Sequence, residues 1–296
     1  MKVFITGASG WIGSATVDEL VAHGHDVEGL ARSEASAAAI AAKGARVRRG
    51  DLDDLAGVRA GAADADAVIH LANKHDFVHP GVSDAAERGV VQAILDVLEG
   101  SDGPFLLASG MAVAPGSELV ESDASPHHGA ESMRGGTENL ALDYVDRGVG
   151  SVPVRFAPTV HGAGDHGFTA VLAAAARASG AAVYVGDGAS RWPAVHISDA
   201  ARVVRLGLEK APAGSILHAA AESGVPTRDI AEALGAAIGV PAVSVAEEEA
   251  AQRLGFIGMI FSRDLPASSA ATRALLGWEP TGPTLLDDIR AGHYRG

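Results

Sequence analysis

The sequence has 296 residues, 47% of them hydrophobic, and no cysteine; it is long enough for one large α/β domain with a cap or for two domains, and it excludes disulfides, thiolate nucleophiles and cysteine-held metals. With 37 acidic against 23 basic residues the net charge is −14, which argues against nucleic acid or an anionic membrane surface as a partner. No apolar run reaches bilayer-spanning length, and the chain opens directly on a strand without a signal-peptide pattern, so a cytoplasmic protein is expected.

In chain order the pattern alternates strand and helix, as in a parallel sheet. Lys2–Thr6 reads as a buried strand and Trp11–Ala22 as a helix stopped by His23-Gly24. Strand Asp26–Ala31, helix 35–43, strand Arg46–Arg49, helix 54–60 and strand 67–71 follow. A long helix over 81–98, strand 104–109, a second long helix over 132–146 and strand 151–155 complete a first unit. After Arg155 the rhythm changes. Residues 159–167 read as a loop, Phe168–Ser179 as a helix and Ala182–Val185 as a strand. Val195-His196-Ile197 reads as a strand before a cap at Ser198-Asp199, residues 216–219 as a late strand, and Thr227–Ile238 as an amphipathic helix capped by Thr227. From about Val240 the chain is irregular and helical.

Between the first strand and helix lie Gly7, Gly10 and Gly13. Gly7 allows a tight turn, Gly10 clears a side chain where backbone approaches a pyrophosphate, and Gly13 lets the helix pack on its strand. The helix N-terminus then offers free N–H groups and its positive dipole end to phosphates. The expected fold is therefore α/β: a Rossmann-type doubly wound parallel sheet with a small C-terminal substrate-binding cap. Residues 1–155 form the dinucleotide-binding domain, with 195–219 returning to it, and 156–194 and 220–296 form the cap.

Enzymes that prefer NAD place a carboxylate at the end of the second strand, and those that prefer NADP an arginine. Here that end is Leu30-Ala31-Arg32-Ser33. The fork of Arg32 and the hydroxyl of Ser33 suit a phosphate monoester, so NADP is favoured and NAD is the alternative; a solvated Arg opening a helix cap is the plainer reading. Asp51-Leu52, after the third strand, stand where adenine would be met.

Thr6-Gly7-x-x-Gly10-x-x-Gly13 resembles the extended short-chain dehydrogenase/reductase family, as do Gly50-Asp51-Leu52, His70-Leu71-Ala72, Arg155 with Val160-His161-Gly162, and Gly186-Asp187-Gly188 leading to Val195-His196-Ile197-Ser198-Asp199. The likeness covers nearly the whole chain. It implies that Thr6, Gly7, Gly10, Trp11, Ile12 and Gly13 hold a nicotinamide dinucleotide together with Leu71, Ala72, Asn73, Ser109 and Arg134, and that the protein is a dimer through the two long helices.

The chemistry of that family rests on a Tyr, a Lys four residues later, and a Ser or Thr; the Lys lowers the Tyr pKa so that it exchanges a proton while hydride moves. This chain has no such pair, since four residues after Tyr144 and Tyr184 stand Gly148 and Gly188. Anchored on Glu138, the Lys position holds Arg134 and the Tyr position Ala130. Anchored on Val113, the Ser position holds Gly110, with Ser109 beside it.

Replacement chemistry has four candidates. His75-Asp76, in the loop after the fourth strand, form an acid/base element in which the carboxylate orients the imidazole, or a polar loop with a capping Asp. Arg134 is a fixed cation for the nicotinamide ribose or a substrate carboxylate, and no proton donor. Ser109 is a hydrogen-bond partner for a substrate carbonyl. His161, Arg191 and Trp192 are substrate contacts, with Trp192 as an aromatic wall or a core residue. His161, Asp165 and His166 match no common zinc spacing, so no metal is expected.

Three functions fit: an NADP-dependent oxidoreductase reducing the carbonyl or imine of a small apolar molecule with a non-standard proton donor, a non-catalytic NADP-binding regulator or redox sensor, and an epimerase or lyase.

Overall fold

The computed structural model describes residues 1–74, 79–111 and 117–295. The central layer is a seven-stranded sheet built from β1 (Lys2–Thr6), β2 (Asp26–Ala31), β3 (Arg46–Arg49), β4 (Ala67–His70), β5 (Pro104–Gly110), β6 (Gly150–Phe156) and, after a long excursion, β10 (Leu217–Ala219). Its order is β10-β6-β5-β4-β1-β2-β3, and every neighbouring pair is parallel.

Alternation along each strand sends side chains to opposite faces. On one face Val3, Ile5, Ile69, Val152 and Val154 pack with α1 (Trp11–Ala22) and with Val203, Val204 and Leu208 of α7 (Ile197–Lys210). On the other, Phe4, Val68, Phe105 and Leu107 pack with α3 (Leu55–Ala63), α4 (Pro80–Leu98) and α5 (Thr137–Asp143). A sheet buried on both faces explains near-continuous apolar strands such as Ala67-Val68-Ile69. Each fully buried Phe, Ile or Leu contributes about 1.5–3 kcal/mol. Helix α2 (Glu34–Ala41) covers the β2–β3 edge.

The other elements are β7 (Thr159–His161), α6 (Phe168–Ser179), β8 (Ala182–Val185), β9 (Arg191–His196), β11 (Glu222–Pro226), α8 (Thr227–Ile238), β12 (Ala242–Val245), α9 (Glu247–Leu254), α10 (Phe256–Phe261), α11 (Ala270–Leu276) and α12 (Leu285–Ala291). They carry a three-stranded sheet, β11-β9-β7, and a two-stranded one, β12-β8. Trp192, Ile230, Leu234, Phe261, Leu285 and Ile289 form their own core.

Several expectations need correction. The helix expected over 132–146 is broken: Met133–Gly136 is a tight turn in which Arg134, Gly135 and Gly136 all have left-handed backbone, at φ 54°, 60° and 61°, and α5 starts only at Thr137. Two adjacent glycines remove the penalty that keeps a right-handed helix continuous. The long-helix pair expected at a dimer interface therefore reduces to α4 alone. The segment 159–167, expected as loop, begins with β7 because Thr159–His161 find β9 as a parallel partner. Helix α8 is preceded by Pro226 at its cap position, and the Thr227 hydroxyl donates instead to the Gly188 carbonyl at 3.4 Å.

Candidate functional site

The strand order reverses between β1 and β4: β1 pairs with β2 on one side and β4 on the other. In a parallel sheet the carboxyl ends of strands at such a point open a crevice. Three loops meet there.

The first is the glycine loop. Gly7 has φ +75°, and a Cβ on it would stand 2.7 Å from the Ala72 nitrogen, so only glycine lets this turn lie against the Leu71-Ala72 backbone. A Cβ on Gly13 would stand 2.0 Å from the Gly7 carbonyl oxygen, so glycine alone lets α1 start that close to β1. The Gly10 N–H donates to Gly7 O at 2.9 Å, and α1 begins at Trp11. The N–H groups of the first turn have no acceptor within a helix, and they open on the crevice as anion donors. This cradle fits the pyrophosphate of a dinucleotide.

The second loop follows β2. Arg46, Arg48 and Arg49 of β3 are ion-paired with Asp26, Glu28 and Glu34. Arg32 is exposed, and its guanidinium has no partner among the described residues. The Ser33 hydroxyl caps α2, accepting from Ser36 N at 3.1 Å. Asp51 turns inward on its own loop, accepting from the N–H groups of Asp53 at 2.8 Å and Asp54 at 3.1 Å. Leu52 leans half-buried on the core beneath.

The third is the backbone after β4, Leu71-Ala72-Asn73, and the groups beneath it. His70 ends β4 fully buried, with Nδ1 2.7 Å from the Thr6 hydroxyl. Burial, and secondarily the positive charge of Arg134, push its pKa down to about 3, so it is neutral. The Arg134 guanidinium is joined to the Glu87 carboxylate, with Nε–Oε1 at 2.9 Å, and its backbone N–H donates to Asp84 at 2.9 Å. Glu87 is 2% exposed and also takes the Asn73 amide; Ser83 in turn donates to Asn73 at 3.3 Å. Desolvation raises the Glu87 pKa, and the Arg134 and Asn73 donors oppose that rise. The charge expected of Arg134 toward ribose or substrate is thus already neutralised by a buried carboxylate. Ala130 is exposed and lies outside any helix.

Ser109 closes the crevice at the end of β5. Its hydroxyl donates to Glu138 Oε2 at 2.5 Å. Glu138 is held by Arg155 of β6, itself 2% exposed, through Nη2 at 2.5 Å. Arg155 continues to the Asp123 carbonyl at 2.8 Å and to His218 Nε2 at 3.3 Å. His218 Nδ1 faces the Ser268 carbonyl at 2.6 Å, so Nδ1 carries the proton and Nε2 accepts from Arg155. Burial lowers the His218 pKa. With its own proton directed to Glu138, Ser109 presents lone pairs to the crevice.

The three cap residues expected at the substrate do not form one open wall. His161 is fully buried, with Nδ1 2.6 Å from Asp288, and its ring stands edge-on to His196 at 5.6 Å. Trp192 is fully buried between Phe168 and Phe261, with centroids at 6.1 and 4.9 Å; it is core. Arg191 is exposed and bound by both Asp264 oxygens, at 3.0 and 2.7 Å. His75 and Asp76 lie outside the described residues. Among the described residues no cluster of three or more His, Asp or Glu is arranged to hold a metal ion.

Sequence reasoning missed Glu87. Its signal was available: it lies three, four and seven residues before Val90, Val91 and Ile94, on the buried stripe of α4, where a lone carboxylate needs a partner.

A doubly wound parallel sheet with a glycine cradle at its switch point defines a dinucleotide-binding α/β protein. The chain belongs to the NAD dependent epimerase/dehydratase family, whose model matches residues 3–220. It is 42% identical to an uncharacterized protein of Saccharomyces cerevisiae over 99% of both chains. It is 27% identical to the 4-hydroxy-2-methyl-3-oxo-4-farnesyl-3,4-dihydroquinoline-1-oxide ketoreductase of Stigmatella aurantiaca, over 73% of this chain and 67% of that one. Its fold matches that of the dTDP-glucose 4,6-dehydratase from Streptomyces venezuelae with NAD and TYD bound, at a TM-score of 0.78 and 20% identity over 99% of this chain and 96% of that one. No described helix is long and apolar enough to cross a membrane.

Proposed function

We propose that this protein is an NADP-dependent oxidoreductase that reduces the carbonyl or imine of a small, largely apolar substrate, with residues 156–194 and 220–296 as the substrate cap. The single observation that carries the cofactor choice is Arg32: on the strand edge where its three neighbours are ion-paired, it alone is exposed and unpaired, where a 2′-phosphate would lie. Bound there, the cofactor would supply the hydride. The glycine cradle and the first turn of α1 hold its pyrophosphate, and Leu71-Ala72 form the floor. Ser109 accepts a hydrogen bond from a donor on substrate or cofactor. Neither Arg134, whose charge Glu87 neutralises, nor Ser109, whose proton is directed to Glu138, releases a proton readily. We assign proton delivery to His75, with Asp76 orienting it, because the sequence places them just after Leu71-Ala72-Asn73, the floor of the crevice. The family resemblance to a ketoreductase supports a reductive direction.

The test mixes the protein with NADPH and a panel of ketones, aldehydes and imines and follows absorbance of the reduced cofactor. Turnover with at least one apolar member is expected; tight NADPH binding with no consumption across the panel overturns the proposal. His75→Ala should then lower kcat by about 10²–10⁴-fold, and unchanged turnover removes His75 from the reaction.

One observation favours a second reading, a cofactor-binding regulator without turnover: Ala130 and Arg134 occupy the Tyr and Lys positions, and Arg134 is neutralised. The same panel separates the two.

A further inference from the structure

Loop 162–167 and Tyr294 converge on the head of α1. Trp11 opens that helix directly after Gly10, so its backbone is part of the phosphate cradle while its ring reaches toward the cap. The indole Nε1 donates to Val160 O at 2.7 Å, and the His166 ring stands edge-on to it at 5.7 Å and 71°. The loop bearing His166 is folded on itself: Asp165 N donates to Gly162 O at 3.2 Å, and Gly167 N donates to Asp165 Oδ1 at 2.6 Å.

The tail holds this loop from behind. Tyr294 is 4% exposed; its hydroxyl donates to Asp165 Oδ2 at 2.9 Å and accepts from Gly162 N at 3.4 Å. Its own carbonyl is held by Arg177 of α6 at 2.7 Å. One buried hydroxyl therefore bridges Gly162 and Asp165 of the loop that walls Trp11. Burial raises the pKa of Asp165, and burial together with the neighbouring Asp165 carboxylate raises that of Tyr294 against the opposing Gly162 N–H. Tyr294 is thus a fixed donor, not an acid or base.

We propose that Tyr294 is a positioning residue for the dinucleotide site: it holds loop 162–167 against the Trp11 indole and so sets the orientation of the first turn of α1. This rests on the reading of the glycine loop as a dinucleotide cradle. Without the hydroxyl, Gly162 N–H and one Asp165 oxygen lose their partner. The loop then loosens, the His166 wall recedes, and the Trp11 indole keeps its hydrogen bond to Val160 and its packing on the core.

The test measures the NADPH Kd of the full chain from the enhancement of reduced-cofactor fluorescence, for wild type, Tyr294→Phe, Trp11→Phe and the double variant. Tyr294→Phe should raise Kd about three- to tenfold and shift the emission of the cofactor-free protein toward that of a more solvated indole. In the Trp11→Phe background the same change should raise Kd by less than about twofold, since residues acting through one contact are non-additive. Asp165→Ala cuts the link from the loop side and should show the same dependence on Trp11. An unchanged Kd in Tyr294→Phe, or equal factors in both backgrounds, overturns the proposal. Wild-type protein that binds neither NADPH nor NADH overturns the cradle reading and this proposal with it; normal wild-type binding with an unaffected Tyr294→Phe overturns this proposal alone.

Discussion

Arg134 and Glu87 form an ion pair in which the carboxylate is buried and the guanidinium is only part-covered, with side-chain exposures of 1% and 28%. The arginine stands where the resemblance implies a lysine, and the left-handed turn at Arg134-Gly135-Gly136 carries its side chain to α4. Removing one partner of such a pair strands the other. Because Arg134 can turn to water, the loss is smaller than for a fully buried pair. Glu87→Gln should lower unfolding free energy by about 1–3 kcal/mol, read from urea denaturation at neutral pH. Stability equal to wild type would mean that the pair contributes nothing.

The same turn makes a second expectation concrete. Installing Ala130→Tyr with Arg134→Lys restores the residue types of a Tyr–Lys pair, but not the helix that would align them, since Arg134 has φ 54° and α5 starts at Thr137. The double variant should consume NADPH no faster than its parent with any carbonyl of the panel. A rate gain of tenfold or more (about 1.4 kcal/mol in barrier) would show that the backbone rearranges to accept the pair.

Arg32→Ala should raise the NADPH Kd by about 10–100-fold, the range of a lost charge-assisted contact of 1.5–3 kcal/mol, and leave the NADH Kd within about twofold. Titration of each reduced cofactor decides it; equal factors would remove Arg32 from the 2′-phosphate.

His70 gives a pH dependence with a definite sign. Unfolded, it titrates near 6.5; folded, it stays neutral down to about 3. Between those values the unfolded chain binds a proton that the folded chain refuses, so stability present above pH 6.5 is lost as pH falls through the window, at about 1.4 kcal/mol per pH unit. His161 and His218 are lowered in the same direction, so their contributions add to the slope. His70→Gln should flatten the stability curve between pH 6.5 and 5 by one histidine's share. Parallel curves for variant and wild type would show that His70 is protonated in the fold.

Arg155 and Glu138 tie β6 to α5 in near-complete burial. Arg155→Met alone should cost about 3–5 kcal/mol, because Glu138 is left buried without its partner, and Glu138→Leu added to it should recover most of that loss. Additive losses in the double variant, measured by the same denaturation, would contradict this account.

The parts of the fold legible in the sequence are those specified locally. Val3-Phe4-Ile5 between a charged start and Gly7 can only be a strand closing on a turn, and the glycine spacing carries its own steric reason, borne out by the 2.0 Å approach of a Cβ at Gly13 to Gly7 O. The parallel pairing of the sheet follows from alternating strand and helix. What escaped depends on long-range partners. Thr159–His161 are a strand only because β9 lies beside them. Trp192 looks equally like a substrate wall and a core residue until Phe168 and Phe261 close on it. The break at Met133–Gly136 was written in two adjacent glycines, Gly135 and Gly136, inside the helix expected over 132–146. Ser109 was found by position, but the direction of its hydrogen bond depends on Glu138, 29 positions away.

The sheet's outermost partner has a consequence for synthesis. Strand β10 pairs with β6 in the register Leu217↔Val154 and Ala219↔Phe156, and residues 157–216 emerge from the ribosome between the two. Until β10 arrives, β6 stands as an apolar edge with unpaired N–H and C=O groups, the kind of template that captures other chains. A nascent chain arrested between Phe156 and Leu217 therefore exposes an edge that the finished fold covers, and a translational pause within that window would lengthen its exposure to chaperones and to other chains.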